Sequence, residues 1–196
     1  MASRAEPGRI RVAGGEDLGY LIAADLATGR AEDALLGQPP EAFTAEEAAA
    51  HATRIARFLV DADKGAWVVE AVPDDAGPEG MLLARFRDLE AEPRADLALG
   101  SVFLELDRRL FPTDGRFCEV FQLWVDPGRR RRGWASALKR HLEAETRRRG
   151  LGAIYTHTLE RNVAVVELNL KLGYHIVRRG PIWDGAVRVS LIKILT

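Results

Sequence analysis

Gln122-Leu-Trp-Val-Asp-Pro-Gly-Arg-Arg-Arg-Arg-Gly-Trp-Ala-Ser-Ala-Leu-Lys139 carries most of the argument about this chain. The segment leading into it, Phe117 to Val125, is rich in β-formers and reads as a strand. After it, from about Gly133 to Arg149, Trp134, Ala137, Leu138, His141 and Leu142 recur at i, i+3, i+4, i+7 and i+8, the spacing of one buried helix face. Gly150 is a natural stop. A strand therefore passes through a short basic loop directly into a helix N-terminus. The first turn of a helix carries unpaired N–H groups and a partial positive charge, so a phosphate placed there gains several hydrogen bonds at once. Gly133 lets the backbone come close to such a ligand, because it has no Cβ to stand in the way. Arginine runs usually lie on solvated faces. This run sits between a strand and an amphipathic helix and lacks the interleaved aromatics that stack bases, so a phosphate site accounts for it better.

The rest of the chain extends this pattern. Ile10–Ala13 reads as a short strand, followed by a helix in which Leu18, Leu21, Ile22 and Leu26 share a face. Gly37-Gln-Pro-Pro is a loop. Thr44-Ala-Glu-Glu is a capping signal for a second helix running to about Asp61, with Ile55, Phe58 and Leu59 on its apolar side. Ala66–Val72 and Gly80–Arg87 are strand-like runs joined by a turn-rich linker and should pair antiparallel. Residues 88–116 read as an insertion with a helix over Leu97–Leu110. Beyond the arginine loop come a strand at Ala153–Thr158, a helix at Asn162–Leu172 closed by Gly173, and strands near Tyr174–Arg178 and Val187–Leu195. The order is strand, two helices, three strands, helix, strand, helix, two strands. That is a mixed α/β domain, and the 196 residues, 47% of them apolar, suit one domain over 1–196.

Charge and composition exclude several classes. Basic and acidic residues number 28 and 29, for a net charge of -1, so any basic surface is local and a nucleic-acid partner is disfavoured. The lone Cys118 cannot form an intramolecular disulfide, and no Cys/His cluster has the spacing of a zinc site, so no metal is expected. The N-terminus lacks the apolar stretch of a signal peptide, and no segment has roughly 18 uninterrupted apolar residues. A soluble cytoplasmic protein without membrane association is the expectation.

Arg130-Arg-Arg-Gly-Trp-Ala135 resembles the signature Arg/Gln-x-x-Gly-x-Gly/Ala of the GNAT acetyltransferase superfamily, and Val125-Asp-Pro127 resembles the Val-x-Pro that precedes it there. Asn162 followed by an apolar helix and Gly173-Tyr174 resembles that family's second hallmark. The resemblance implies a GNAT-like, mostly antiparallel mixed sheet flanked by helices, with acetyl-CoA as cosubstrate and an amine acceptor. It implies that the backbone of Arg130, Arg131, Arg132, Gly133, Trp134 and Ala135 binds the coenzyme pyrophosphate with Ser136 close behind. Leu123, Trp124 and Val125 would pair through their backbone with the pantetheine arm, Asn162 would hydrogen-bond to it, and Lys171 would reach a coenzyme phosphate. Asn162 is equally well placed to act as an N-cap. No Walker lysine follows Gly133, which disfavours a nucleotide triphosphatase.

Acetyl transfer needs a neutral amine, and a lysine-like amine has a pKa near 10.4, so a base or a relaying water is wanted. Glu119, on the strand leading to the cofactor, is the candidate base. In a regular strand it shares a face with Phe121 and Leu123, opposite Gln122 and Trp124, and a bulge would change that phase. Asn169 stands where many family members carry a tyrosine that protonates the thiolate. Asparagine is no acid, but it has hydrogen bonds to offer the thioester. His157 and Tyr155 are reserve candidates for proton transfer. Direct transfer without an acyl-enzyme is what the resemblance implies, and no Cys-His-Asp order activates Cys118.

Alternatives stay open at this level. An acyl-CoA-binding sensor that has lost its chemistry would carry the same loop. A nucleic-acid surface built from the arginines together with Arg147-Arg-Arg149 would show steep salt dependence. For the acceptor, the acidic Asp88, Glu90, Glu92, Asp96, Glu105 and Asp107 would attract a cationic amine, and Arg178 to Gly185, with Trp183, would form a wall of its pocket. A homodimer is neither required nor excluded.

Overall fold

The computed structural model describes residues 9–39, 42–70, 77–89, 110–112, 114–182 and 184–195. Strand β1 (Arg9–Val12) leads through a single 3-10 turn into helices α1 (Leu18–Leu36) and α2 (Ala45–Val60). There follow β2 (Lys64–Glu70), β3 (Pro78–Asp88), β4 (Arg116–Val125), α3 (Trp134–Arg148), β5 (Ala153–Leu159), α4 (Val163–Lys171), β6 (His175–Pro181) and β7 (Val187–Ile194). This is the order expected from the periodicities. The helix expected over Leu97–Leu110 lies almost wholly outside the described residues, as do Glu90, Glu92, Asp96, Glu105, Asp107 and Trp183.

The strands form one sheet in the order β1-β2-β3-β4-β5-β7-β6. Every neighbouring pair is antiparallel except β4 and β5. Both faces of the sheet are covered, and the period-2 alternation of strands decides which residue goes where. Trp67, Val69, Leu82, Ala84, Cys118 and Val120 pack under Trp134, Leu138 and Leu142 of α3. The residues between them, Ala66, Val68, Met81 and Leu83, pack under Leu21 and Ala24 of α1 and Ile55 and Phe58 of α2. Phe111, Phe117, Tyr155 and Ile192 form a third cluster.

Local signals behave as their chemistry requires. Thr44 Oγ1 accepts from the Glu47 amide at 3.2 Å while the Glu47 carboxylate accepts from the Thr44 amide at 2.8 Å, the reciprocal cap that fixes the start of α2. Such caps contribute about 1 kcal/mol. Beneath α3 lies an unexpected cation. Lys139 is fully buried, its Nζ makes no hydrogen bond, and it rests 4.3 Å from the ring centre of Tyr174. Burial lowers its pKa to about 7. No helix of the described residues is long and apolar enough to cross a membrane, and no group of His, Cys, Asp or Glu among them is placed to hold a metal.

Candidate active site

Helix α3 starts at Trp134, with Gly133 as its N-cap at φ 89° and no side chain capping the first turn. Arg131 is also left-handed, at φ 64°, the single non-glycine residue with positive φ among the described residues. An L-residue held there costs on the order of 1–2 kcal/mol, and such strain concentrates at functional sites. The two left-handed positions wind the arginine loop tightly onto the helix. A Cβ built on Gly133 meets no atom within 4 Å, so the space before the first-turn amides of Trp134, Ala135 and Ser136 is open. An open, uncapped, positively poled helix end fits a phosphate group. Arg131 and Arg132 are exposed beside it. Arg130 turns back: its Nε donates to the Val125 carbonyl at 3.0 Å, and its guanidinium lies 4.9 Å from the Trp124 ring centre.

The loop is held from behind by Glu79, a buried residue near the start of β3. Its carboxylate accepts from the Trp134 indole at 3.1 Å and pairs with Arg129 at 3.0 Å, and its carbonyl accepts from the Asp126 amide at 3.0 Å. Asp126 in turn accepts from the Trp124 indole at 2.9 Å. Sequence reasoning missed Glu79, because a glutamate between Pro78 and Gly80 looks like a solvated turn residue.

Strands β4 and β5 pair at Cys118–Ile154 and Glu119–Tyr155 and then separate, β4 running on to Val125 and β5 to Leu159. They are parallel, so the split opens toward the end at which β4 feeds α3. The β4 edge over Leu123, Trp124 and Val125, which pairs with β3 on its other side, therefore faces a gap instead of a neighbour. An extended chain with amide groups fits such an edge.

A bulge changes the phase of β4 at this place. Leu83 pairs with Gln122 and Ala84 with Val120, so Phe121 is an extra residue. Phe121 and Trp124 pack toward α1 and α2, while Leu123 and Val125 pack toward α3. Gln122 also points to the α1 side, its Nε2 donating to Asp25 at 3.0 Å. The regular-strand assignment is thus corrected: Glu119, Phe121, Gln122 and Trp124 share the α1/α2 face, and Leu123 leaves it.

On that face Glu119 is buried and pairs with Arg87 at 3.3 Å and Arg85 at 3.9 Å. Across the split, the Tyr155 hydroxyl and Ser190 hydroxyl lie 3.1 Å apart. His157, two residues along β5, has its pKa pushed down to about 4 by burial, with the charges of Arg188 and Arg85 adding to the effect. Its imidazole is neutral at physiological pH. Burial pushes the Cys118 thiol up to about 12, so it offers no thiolate nucleophile.

Helix α4 flanks the split on the α3 side, where Val166 and Leu172 pack against the main core. Asn162 stands at the N-cap position of α4, but its side chain makes no capping hydrogen bond. Its amide group is uncommitted among the described residues. Asn169 is completely buried; its Nδ2 donates to the Val165 carbonyl at 2.9 Å, and its Oδ1 makes no hydrogen bond. Lys171 is exposed at the end of α4.

The acetyltransferase (GNAT) family model matches residues 32–174, which takes in the arginine loop, the split and α4. Among curated proteins, none matches the chain by sequence. Solved structures share its fold at low identity. A GNAT-family acetyltransferase from Streptococcus agalactiae is 19% identical with a TM-score of 0.68, covering 98% of each chain. Arabidopsis thaliana NAA60 in complex with acetyl-CoA is 16% identical with a TM-score of 0.63, covering 95% of this chain and 98% of its own. The ribosomal-protein-S18-alanine N-acetyltransferase of Escherichia coli is 15% identical with a TM-score of 0.60, covering 96% and 94%. With the family model spanning most of its length, the chain belongs to the acetyltransferase (GNAT) family.

Proposed function

We propose that the chain is an N-acetyltransferase that moves an acetyl group directly from acetyl-CoA to a primary amine of a small molecule or protein. The observation that carries this reading is the meeting of two features at one end of the sheet: the uncapped start of α3 and the split between β4 and β5. Acetyl-CoA supplies the acetyl group as a thioester. The amides from Arg130 to Ser136 hold its pyrophosphate, Leu123 to Val125 and Asn162 line its pantetheine arm, and Lys171 meets an outer phosphate.

The acceptor amine enters on the α1/α2 face. There the neutral His157 accepts a proton from it, while Glu119, engaged by two arginines, serves to position charge. This moves the assignment of base from Glu119 to His157. Asn169 shapes the wall of the split, held there by the hydrogen bond from its Nδ2 to the Val165 carbonyl of its own helix. An N–C bond forms as the thioester C–S bond breaks, and the free thiol leaves with a proton.

Thermal unfolding with and without acetyl-CoA tests the reading. Saturation at about 100 times Kd adds roughly 2.7 kcal/mol to the stability of the wild type. Gly133→Glu, which places a carboxylate before the amides and strains φ, is expected to lose that gain entirely. A wild type unmoved by millimolar acetyl-CoA would sink the proposal.

A further inference from the structure

Two of the arginines withdrawn wholly or partly from solvent are supplied with carboxylates. Arg188 is ion-paired with Asp184, and Arg11 is bound by Asp17 and Glu70. Arg85 differs from them. Its nearest carboxylate oxygen, on Glu119, is 3.9 Å away, beyond hydrogen-bond reach, and its Nε is buried without a partner. No hydrogen bond to Arg85 is present among the described residues. Its guanidinium lies instead 4.4 Å from the ring centre of Phe121 and 5.9 Å from that of Phe58. A guanidinium resting on rings keeps its N–H donors directed outward in its own plane, ready for a planar anion.

The surroundings favour an anion too. Arg87 gives its guanidinium to Glu119, and Arg54 of α2, which also meets His51 Nδ1 at 2.8 Å and Asp25 at 3.7 Å, lies 6.0 Å from the centre of Phe121 with its side chain half exposed. Burial lowers the Arg85 pKa; Arg87 and Arg54 add to this, and Glu119 and Asp63 oppose it. A structural filler over Phe58 and Phe121 would need no charge at all. Arg85 pairs with Glu119 across β3 and β4, at the last pair before β4 and β5 separate, and its charge is felt by His157 across the split. Arg85 therefore stands on the strand next to the one that borders the split, about one strand spacing, ~4.8 Å, away backbone to backbone.

We propose that the acceptor is an amine carrying its own carboxylate, a free amino acid, and that Arg85 with Arg54 beside it holds that carboxylate while the amine reaches the split. This rests on the acetyl-transfer reading above. The acceptor nitrogen gains the N–C bond, the thioester loses its C–S bond, one amine proton passes by way of His157 to solvent, and the thiolate takes up another. An N-acetyl amino acid and free thiol are the products.

The test uses matched pairs, each common amino acid as its free acid and as its carboxamide, with thiol release from acetyl-CoA as the readout. Free acids are expected to exceed their carboxamides in kcat/KM by on the order of tenfold or more, since a site built for a hydrogen-bonded anion rejects the neutral analogue. Arg85→Met keeps the apolar cover of the rings and is expected to abolish the preference through KM, with stabilisation by acetyl-CoA unchanged. Arg85→Lys keeps the charge but not the fork; it is expected to retain a reduced preference, and it serves as the test should the methionine variant fail to fold. Carboxamides used as well as acids, or a preference that survives in the methionine variant, would overturn the inference. So would an enzyme stabilised by acetyl-CoA that acetylates no free acid, and in that case the parent reading stands. Loss of the acetyl-CoA effect itself removes both.

Discussion

The two faces of the split offer different kinds of groups. On the α3 face the groups offered are backbone: uncapped amides, a strand edge, a glycine with positive φ. On the α1/α2 face they are side chains: Glu119, Arg85, Arg87 and His157, drawn from three strands. A site made of backbone must bend the chain in one particular way, and that leaves a compact trace such as Arg130 to Ala135. A site made of side chains draws single residues from distant strands and leaves none.

Variants can break or sharpen that contrast. The largest effect after Gly133→Glu is expected from His157→Ala, with kcat lower by about 100-fold and stabilisation by acetyl-CoA intact. Steady-state kinetics beside thermal shifts check this; an unchanged kcat would move the proton acceptor elsewhere. In the wild type the imidazole stays neutral until pH falls to about 4. The rate should accordingly rise with pH along the titration of the amine substrate, with no inflection near 6.5.

Glu79→Ala comes next. It strands Arg129 and the Trp134 indole, and is expected to weaken acetyl-CoA by roughly tenfold and the fold by about 1–3 kcal/mol. Glu79→Gln retains an acceptor for the indole and should recover part of the loss, as calorimetric titration would show. Both variants should leave the preference among acceptors unchanged; a change in preference would mean that the two faces are not independent.

The smallest effect is a gain. With the Lys139 pKa near 7 in the folded protein and 10.5 as its ordinary value, the unfolded chain binds the proton more readily between those limits. Stability rises with pH across that window, and the penalty is full below it. Lys139→Met should stabilise the protein at pH 7, with the advantage fading toward pH 10.5. Denaturant unfolding at the two pH values measures it, and activity should not change.

Much of the fold was legible because its signals are local. The capping box at Thr44, the helical stripe of α3, the turn-rich linker before Gly80 and the glycines after α3 and α4 each act within a few residues. The loop before α3 was legible for the same reason. What stayed hidden depends on partners far away in sequence. The bulge at Phe121 exists only relative to β3, Glu79 matters only because Arg129 and Trp134 fold back on it, and the ion pairing of Glu119 depends on Arg85 and Arg87 on the neighbouring strand. Asn162 shows the converse: the helix begins just after it, as the local signal requires, but the side chain makes no capping hydrogen bond.

The seam between β4 and β5 bears on how the molecule comes apart. Residues 9–125 supply one lobe of the sheet and residues 153–194 the other, and their backbones are laced together at only two pairs, Cys118–Ile154 and Glu119–Tyr155. Apart from these, the lobes share the apolar cluster under α3 and the cluster of Phe111, Phe117, Tyr155 and Ile192. Each lobe closes its own ladders through neighbours in the chain, whereas the seam awaits the meeting of distant segments. Amide exchange in β6 and β7 is therefore expected to part company with that in β2 and β3 in the ligand-free protein, as two separate cooperative units. A cosubstrate lodged in the gap touches both, so saturation should merge the two rates into one.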